Sequence, residues 1–414
     1  MTSPPGSADI VVVGGGVIGT SIAFHLAEAG ADVCLLERDQ LAGGSTSRAA
    51  GGVRAQFSDP LNIAIGLRSI EAFERFGERP GAAIDLHQVG YLFLLDRADD
   101  VEAFEASVAL QQELGVPSRF VSLDEVERLS PLVSLESVLA ATFCPLDGHA
   151  SPEAVTQGYA GGTRAHGGTV LTSCGATGIE LAGDEIHAVE TTLGRIATQT
   201  VVCAAGVWSP EIARSLGVEL PVQPYLREVG FTGPVDGLPD HIPLTIDFST
   251  GFYFHREGPG LLFGMADPDQ PPGFDAPTDP EWLERVMEVA ERRCPPLLEM
   301  GIAGGWKGYY EVTPDHNALV GESTTASRFL YATGFSGHGF LQGPAVGEIV
   351  RDLVLGHEPF VDVTALSAER FARAEARPER NVICASTTLV RDAFGHDRLH
   401  PRLERGGEPP GRPR

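Results

Sequence analysis

The chain has 414 residues, 43% of them hydrophobic, and a formal net charge of −26. A core of that size fits two or three domains. The carboxylate excess repels polyanions, so nucleic acid and acidic membrane surfaces are excluded as partners. Lys307 is the single lysine among 30 basic residues. Cys34, Cys144, Cys174, Cys203, Cys294 and Cys384 stand singly with no CxxC pair. That removes zinc ribbons and dithiol redox motifs, and no metal site is expected. The N-terminus lacks the charged and apolar regions of a signal peptide, and no window of about 18 apolar residues is free of charge or glycine. A cytoplasmic location is therefore expected.

DIVVV (9–13) reads as a buried parallel strand. GGGVIG (14–19) follows directly and opens a helical pattern with Val17, Ile18, Ile22, Leu26 and Ala27 on one side, closing at Gly30. ADVCLLE (31–37) is a second strand ending on Glu37. A strand, Gly14-x-Gly16-x-x-Gly19, a helix, a strand and an acid make up a dinucleotide-binding unit. Gly14 makes the turn, Gly16 admits a pyrophosphate and Gly19 lets the helix lie on the sheet. The first helical turn, with Val17 and Ile18, offers free N–H groups to phosphate. Glu37, followed by Arg38, is placed to bond a ribose 2′-OH, which argues against NADP.

GGSTSRAAGGVR (43–54) comes next. Gly44, Gly51, Gly52 and Ala50 allow close approach, Ser45 and Thr46 offer hydroxyls, and Arg48 and Arg54 supply charge. Residues 60–78 carry helical periodicity, and Ser122 with Glu125 forms a capping box. A further helix is expected over 280–293, with β-rich runs at 89–95, 227–233 and 252–257. FSGHGFLQG (335–343) precedes a helix expected to start near Pro344. The Pro/Gly/Arg-rich tail 384–414 is expected to be disordered.

Together these stretches resemble the D-amino acid oxidase/sarcosine oxidase superfamily of flavoproteins, with the sarcosine oxidase beta-subunit-like and glycine oxidase-like members nearest in pattern. LDGHASPEAVTQGYAGGTRAHGGTV (146–170), TSCGATGIEL (172–181), VVCAAGVWSPEIARSLG (201–217), GWKGYYEVTPDHNALVG (305–321) and LYATGFSGHGFLQGPAVGEIV (330–350) extend the likeness over most of the chain. The resemblance implies an α/β fold: a discontinuous Rossmann-like FAD-binding domain (1–84, 146–222, 305–383) and a substrate domain (85–145, 223–304) with a mixed, largely antiparallel sheet. It implies Ala176 against the adenine. Ala205, Gly206 and Trp208 form a further cofactor-binding turn, with Ser209 as the next helix's N-cap. Gly337, His338, Gly339, Phe340, Leu341 and Gln342 fall at the flavin pyrimidine, where a helix N-terminus would stabilise the reduced anion.

Several positions depart from relatives. Arg48 and Gly308 stand where some relatives attach the flavin through histidine or cysteine, so non-covalent FAD is expected. Leu262 and Leu341 replace lysines that act on O₂ and on a substrate carboxylate, and Tyr310 replaces an arginine. Arg54, Lys307, Tyr253, His255 and His338 are the candidates for the substrate pocket. The implied activity is FAD-dependent oxidation of the C–N bond of a secondary amine or amino acid. Hydride passes to flavin N5 and leaves an imine, with O₂ or another acceptor reoxidising the flavin. Two alternatives stay open: a 2-hydroxy acid dehydrogenase of the same fold, and a flavin-bearing subunit or assembly protein whose FAD is mainly structural.

Overall fold

The computed structural model describes residues 3–382 apart from Asp184 and Pro277; the tail 384–414 lies outside the described residues. Two large sheets organise the chain. The first has six strands in the order Leu319–Glu322, Phe329–Thr333, Thr200–Cys203, Ile10–Val13, Val33–Leu36 and Thr169–Leu171. All are parallel except Leu319–Glu322. Its central strands are buried on both faces, as a parallel sheet requires.

Helices cover this sheet. Val17–Glu28 packs against Pro152–Ala165 and against Gly339–Leu355, and the last also meets Pro60–Glu74. Contact is close where side chains are missing: a Cβ on Gly347 would stand 2.2 Å from Ser21 Oγ, and one on Gly162 would stand 2.6 Å from the Phe24 ring.

The second sheet has eight strands: Ile302–Val312, Gln223–Thr232, Gly260–Gly264, Phe252–Glu257, Leu244–Asp247, Tyr91–Leu95, Ala140–Cys144 and Arg119–Val121. Every neighbouring pair is antiparallel except Leu244–Asp247 with Tyr91–Leu95. The sheet is thus mixed and largely antiparallel, beside a Rossmann-like core. The expected boundary at 304/305 falls inside the strand Ile302–Val312. A buried ion pair ties this half together: Arg293 Nε meets Asp247 at 2.8 Å, and Nη2 meets Asp96 at 2.9 Å.

Local expectations are adjusted at several ends. The helix expected over 60–78 runs Pro60–Glu74, with the Asp59 side chain accepting from Leu61 N. The helix expected over 280–293 starts at Trp282. Ser122 caps Glu125 N, but Glu125 turns to Arg119 rather than back to the cap, so the box is half made. Ser209 is not an N-cap. The 3₁₀ turn Gly206–Trp208 has already brought the chain to helical angles, so Ser209 is the first helical residue. The C-terminal helix begins at Gly339, not near Pro344. Burial against neighbouring helices outweighs the glycines' poor propensity. Beside Pro344, Ser69 Oγ accepts the Ala345 N–H.

Among the described residues no helix is long and apolar enough to cross a membrane.

Candidate active site and cofactor cavity

The parallel strands end at one edge, and the turns leaving Val13, Leu36, Cys203 and Thr333 all open there. This carboxyl edge is where open α/β sheets bind ligands. A cavity of about 850 Å³ starts at the edge and runs to the eight-stranded sheet.

At the near end Gly14 has φ +117°, and a Cβ there would lie 2.3 Å from the Ala204 carbonyl oxygen. A Cβ on Gly19 would lie 1.9 Å from the Gly14 carbonyl oxygen, so Gly19 sets the helix on the turn and does not itself line the cavity. Gly14, Gly16, Val17 and Ile18 do line it. Thr46 Oγ1 accepts the Val17 N–H at 3.2 Å. Glu37 is half-buried at the strand end; its two oxygens accept from Gly15 N (2.7 Å) and Asp39 N (2.8 Å). Arg38 lies 4.0 Å over the Trp208 ring, and Ala176, Ala205 and Gly206 complete this end.

Gly44, Ser45, Thr46, Arg48, Ala50, Gly51 and Gly52 form one wall. This stretch is stitched to the edge strand Ile302–Val312. Ser45 Oγ donates to the Tyr309 carbonyl (2.6 Å), Arg48 Nη1 to the Lys307 carbonyl (2.8 Å), and Trp306 Nε1 to the Arg48 carbonyl (3.0 Å). A Cβ on Gly308 would stand 2.7 Å from Arg48 Cβ, so the two positions adjoin. Gly52 is pressed on Tyr91: a Cβ would sit 1.8 Å from the Tyr91 hydroxyl.

The far end is built by Gly337, His338, Gly339, Phe340 and Leu341. The last three open the helix Gly339–Leu355, so their N–H groups have no intrahelical acceptor and carry the positive end of its dipole. Gln342 is buried instead and donates to Asn62 Oδ1 at 3.1 Å; it does not line the cavity. The Tyr310 ring covers Gly337, where a Cβ would stand 2.3 Å from Cε2.

Arg54 is 1% exposed. Its guanidinium donates to His338 Nε2 (3.1 Å), to the Asn381 carbonyl (2.8 Å) and to the Gln56 carbonyl. It also lies 4.2 Å over the Phe57 ring. Burial pulls the guanidinium below its ordinary range, with no carboxylate in direct contact among the described residues. His338 is held well below its usual value, first by burial and then by Arg54. It is a neutral imidazole whose Nε2 lone pair is occupied, so its proton is on Nδ1.

The eight-stranded sheet closes the cavity with Tyr253, Leu226, Arg227, Val229 and Lys307. Lys307 Nζ pairs with Glu228 at 3.0 Å and is 41% exposed, which places it at the rim. His255 does not line the cavity. Alternation puts it on the same face as Tyr253, but one register further along it packs on His149, with ring centroids 4.6 Å apart. Leu262 pairs with His255 across the sheet and is likewise buried away from the cavity. His149, His255 and Glu257 bring three ligand atoms within 4.8 Å of one another, outside the cavity.

Of the charged residues that line the cavity, sequence reasoning missed Asp39, Glu211, Glu311 and Arg227, and the last two lie on strands of the eight-stranded sheet. Glu311 is half-buried, and its Oε2 accepts from Thr333 Oγ1 and Gly334 N, each at 2.9 Å; loss of water around the carboxylate raises its pKa. Arg227 lies on the strand Gln223–Thr232. The signal for both was an ionisable residue inside a β-rich run.

Burial holds His25 and His255 near pKa 4 and His149 near 3, against an ordinary 6.5. The unfolded chain therefore binds more protons, so stability is full above pH 6.5 and is lost as pH falls toward 4. At pH 5 each histidine is expected to cost about 2 kcal/mol. Asp147, raised by burial to about 6, acts in the opposite sense and returns about 1 kcal/mol. Urea unfolding at pH 7.5 and pH 5 should show a net loss of several kcal/mol at the lower value; equal midpoints would contradict neutral burial.

A glycine turn with its helix N-terminus, an acid at the end of the second strand, a long wall of small residues and a second helix N-terminus fit a dinucleotide ending in a flat redox ring. The profile of the family described as FAD dependent oxidoreductase matches residues 9–353. L-proline dehydrogenase from P. horikoshii superposes with a TM-score of 0.86 at 32% identity, over 90% of this chain and 100% of that one. FAD-dependent oxidoreductase domain-containing protein 1 from Bos taurus is 30% identical over 92% of this chain and 88% of its own length. Mitochondrial dimethylglycine dehydrogenase from Mus musculus is 29% identical over 90% of this chain. That alignment covers 45% of the mouse protein, so the chain spans less than half of that relative. The chain belongs to the family of FAD-dependent oxidoreductases.

Proposed function

We propose that the chain oxidises the C–N bond of a secondary amine or amino acid. The observation that carries this reading is the state of His338. It is the imidazole lining the cavity, and its acceptor nitrogen is already bonded to Arg54. Oxidising a hydroxyl by hydride transfer needs a base for the O–H proton; His338 has no free lone pair to serve, and the Glu311 carboxylate is engaged by Thr333 Oγ1 and Gly334 N. An amine bound in its neutral form needs no such base. Bound FAD would supply the hydride acceptor, so that the substrate, losing hydride from its α-carbon, would become an imine that water hydrolyses. The chain's own part is to orient the amine between the ring and the Tyr253–Tyr310 wall, to exclude water, and to present the first-turn N–H groups of Gly339, Phe340 and Leu341 to the pyrimidine. The names of L-proline dehydrogenase and dimethylglycine dehydrogenase support the same substrate class.

An anaerobic screen of secondary amines, amino acids and 2-hydroxy acids, read by flavin bleaching, tests this. Bleaching by amines is expected; bleaching by hydroxy acids alone would refute it.

The residues described as lining the cavity are proposed as the FAD contacts, with Arg54 positioning His338. FAD is proposed to be held without a covalent bond. Arg48 and Gly308 adjoin at the cavity wall and neither can bond a flavin, while the five described cysteines are all buried and none lines the cavity. Acid precipitation should therefore release all the yellow colour; colour kept in the pellet would contradict this. The division into an FAD-binding and a substrate domain, reoxidation by O₂ or another acceptor, the possibility of partner subunits and a cytoplasmic location belong to the same proposal. Free buried cysteines suit a reducing compartment.

A further inference from the structure

We propose that Arg227 is the substrate's carboxylate anchor, so that the amine oxidised here is an amino acid or N-substituted amino acid bound as its carboxylate. This rests on the C–N reading above and adds to it a carboxylate grip, which Leu341 and Tyr310 cannot supply.

Pairing of the strands Gln223–Thr232 and Ile302–Val312 sets Tyr225 opposite Tyr310 and Arg227 opposite Gly308. These four residues share one face of the sheet. Arg227 therefore lies beside two tyrosines, its guanidinium 5.4 Å from the Tyr225 ring and 5.6 Å from the Tyr310 ring. Gly308 opposite it contributes no side chain. Because the Tyr310 ring covers Gly337, next to His338, this places Arg227 at the far end of the cavity, away from the phosphate-binding turn.

The other cations around the cavity are engaged. Arg38 stacks on Trp208 and pairs with Asp39 at 3.3 Å. Arg48 is bonded to the Lys307 carbonyl, Lys307 to Glu228, and Arg54 to three protein acceptors. Arg227 differs. Nη1 donates to the carbonyl of its own neighbour Leu226 at 3.0 Å, and Nε is buried with no acceptor. Among the described residues no carboxylate lies within 4.0 Å of its guanidinium.

A planar guanidinium with unsatisfied donors between aromatic walls is a ready partner for a carboxylate, which can take two parallel N–H bonds from it. The chain's net charge of −26 makes a local cation necessary if an anionic substrate is to settle there. The lysine and the arginine by which relatives grip a carboxylate are replaced here by Leu341 and Tyr310. A cation on the neighbouring strand answers the same chemical need from a different position.

The FAD-loaded protein and its Arg227→Gln and Arg227→Lys variants are titrated with cyclopentanecarboxylate, which cannot be oxidised at a C–N bond, and with the neutral carboxamide. Binding is read from the flavin absorption spectrum. The parent protein is expected to bind the acid and not the amide. Arg227→Gln should weaken the acid about 10- to 100-fold. Arg227→Lys, which keeps the charge without the fork, should fall between, and keeps the test valid if the glutamine variant loses its flavin. Unchanged acid binding in both variants would overturn the anchor, as would slowed reoxidation by O₂ with acid binding intact. If no amine bleaches the flavin yet acid binding follows residue 227, the anchor stands and the C–N reading falls. If amines bleach it with equal affinity in all three proteins, the C–N reading stands and the anchor falls.

Discussion

Replacing Gly14 by valine is expected to give a colourless protein. The residue sits at φ +117°, where a β-branched side chain is strained, and its Cβ would be 2.3 Å from the Ala204 carbonyl oxygen. That oxygen belongs to the backbone just beyond the neighbouring strand Thr200–Cys203 and cannot swing aside. Strain at such a position costs about 1–3 kcal/mol, and overpacking adds a similar amount. The turn must move, and with it the helix N-terminus proposed to hold the pyrophosphate. Flavin affinity should fall by more than about 100-fold, the equivalent of about 2.7 kcal/mol. Gly19→Ala should act through the same turn, since its Cβ would meet the Gly14 carbonyl oxygen at 1.9 Å. The check is the flavin-to-protein ratio after gel filtration; a full complement in Gly14→Val would count against this placement of the dinucleotide.

The second large effect falls on stability. Asp315 is 0% exposed and meets Arg370 in a two-point pair, with Nε and Nη2 each 2.8 Å from a carboxylate oxygen. Arg370 also donates to the Asn317 carbonyl at 2.9 Å. The pair fastens the segment after the C-terminal helix onto the turn that follows the strand carrying Tyr310 and Glu311. Arg370→Met strands a buried carboxylate and should lower the unfolding free energy by about 3–5 kcal/mol. Adding Asp315→Leu should recover much of that loss, because replacing both charges removes the stranded one. Urea unfolding of the parent, single and double variants decides this; a single variant within about 0.5 kcal/mol of the parent would contradict it.

The N-terminal unit was legible because its signals are local. Gly14, Gly16, Gly19 and Glu37 fall within one strand–helix–strand run, and each spacing has a steric cause. The stretch 43–54 was legible as a ligand-facing wall for the same reason, and it lines the cavity. Errors arose where tertiary packing decides. The glycines before Pro344 read as a loop, yet burial against Val17–Glu28 and Pro60–Glu74 makes Gly339 the first helical residue. Alternation told which face His255 shares with Tyr253, but not that the cavity ends before reaching it. Gln342 follows the first-turn residues, but its side chain bonds Asn62 in the core. Arg227 was hidden for a different reason: its surroundings come from a strand some eighty residues further on, and only the pairing of Tyr225 with Tyr310 brings them together.

The central claim is oxidation at a C–N bond, and an anaerobic single turnover tests it most directly. The FAD-loaded protein is mixed with a bleaching secondary amine or amino acid, and the amine nitrogen set free by imine hydrolysis is counted against flavin reduced. The account predicts one nitrogen, as ammonia or a primary amine, for each flavin bleached by an open-chain substrate. Flavin bleached with the nitrogen still in place, or by hydroxy acids alone, would contradict it.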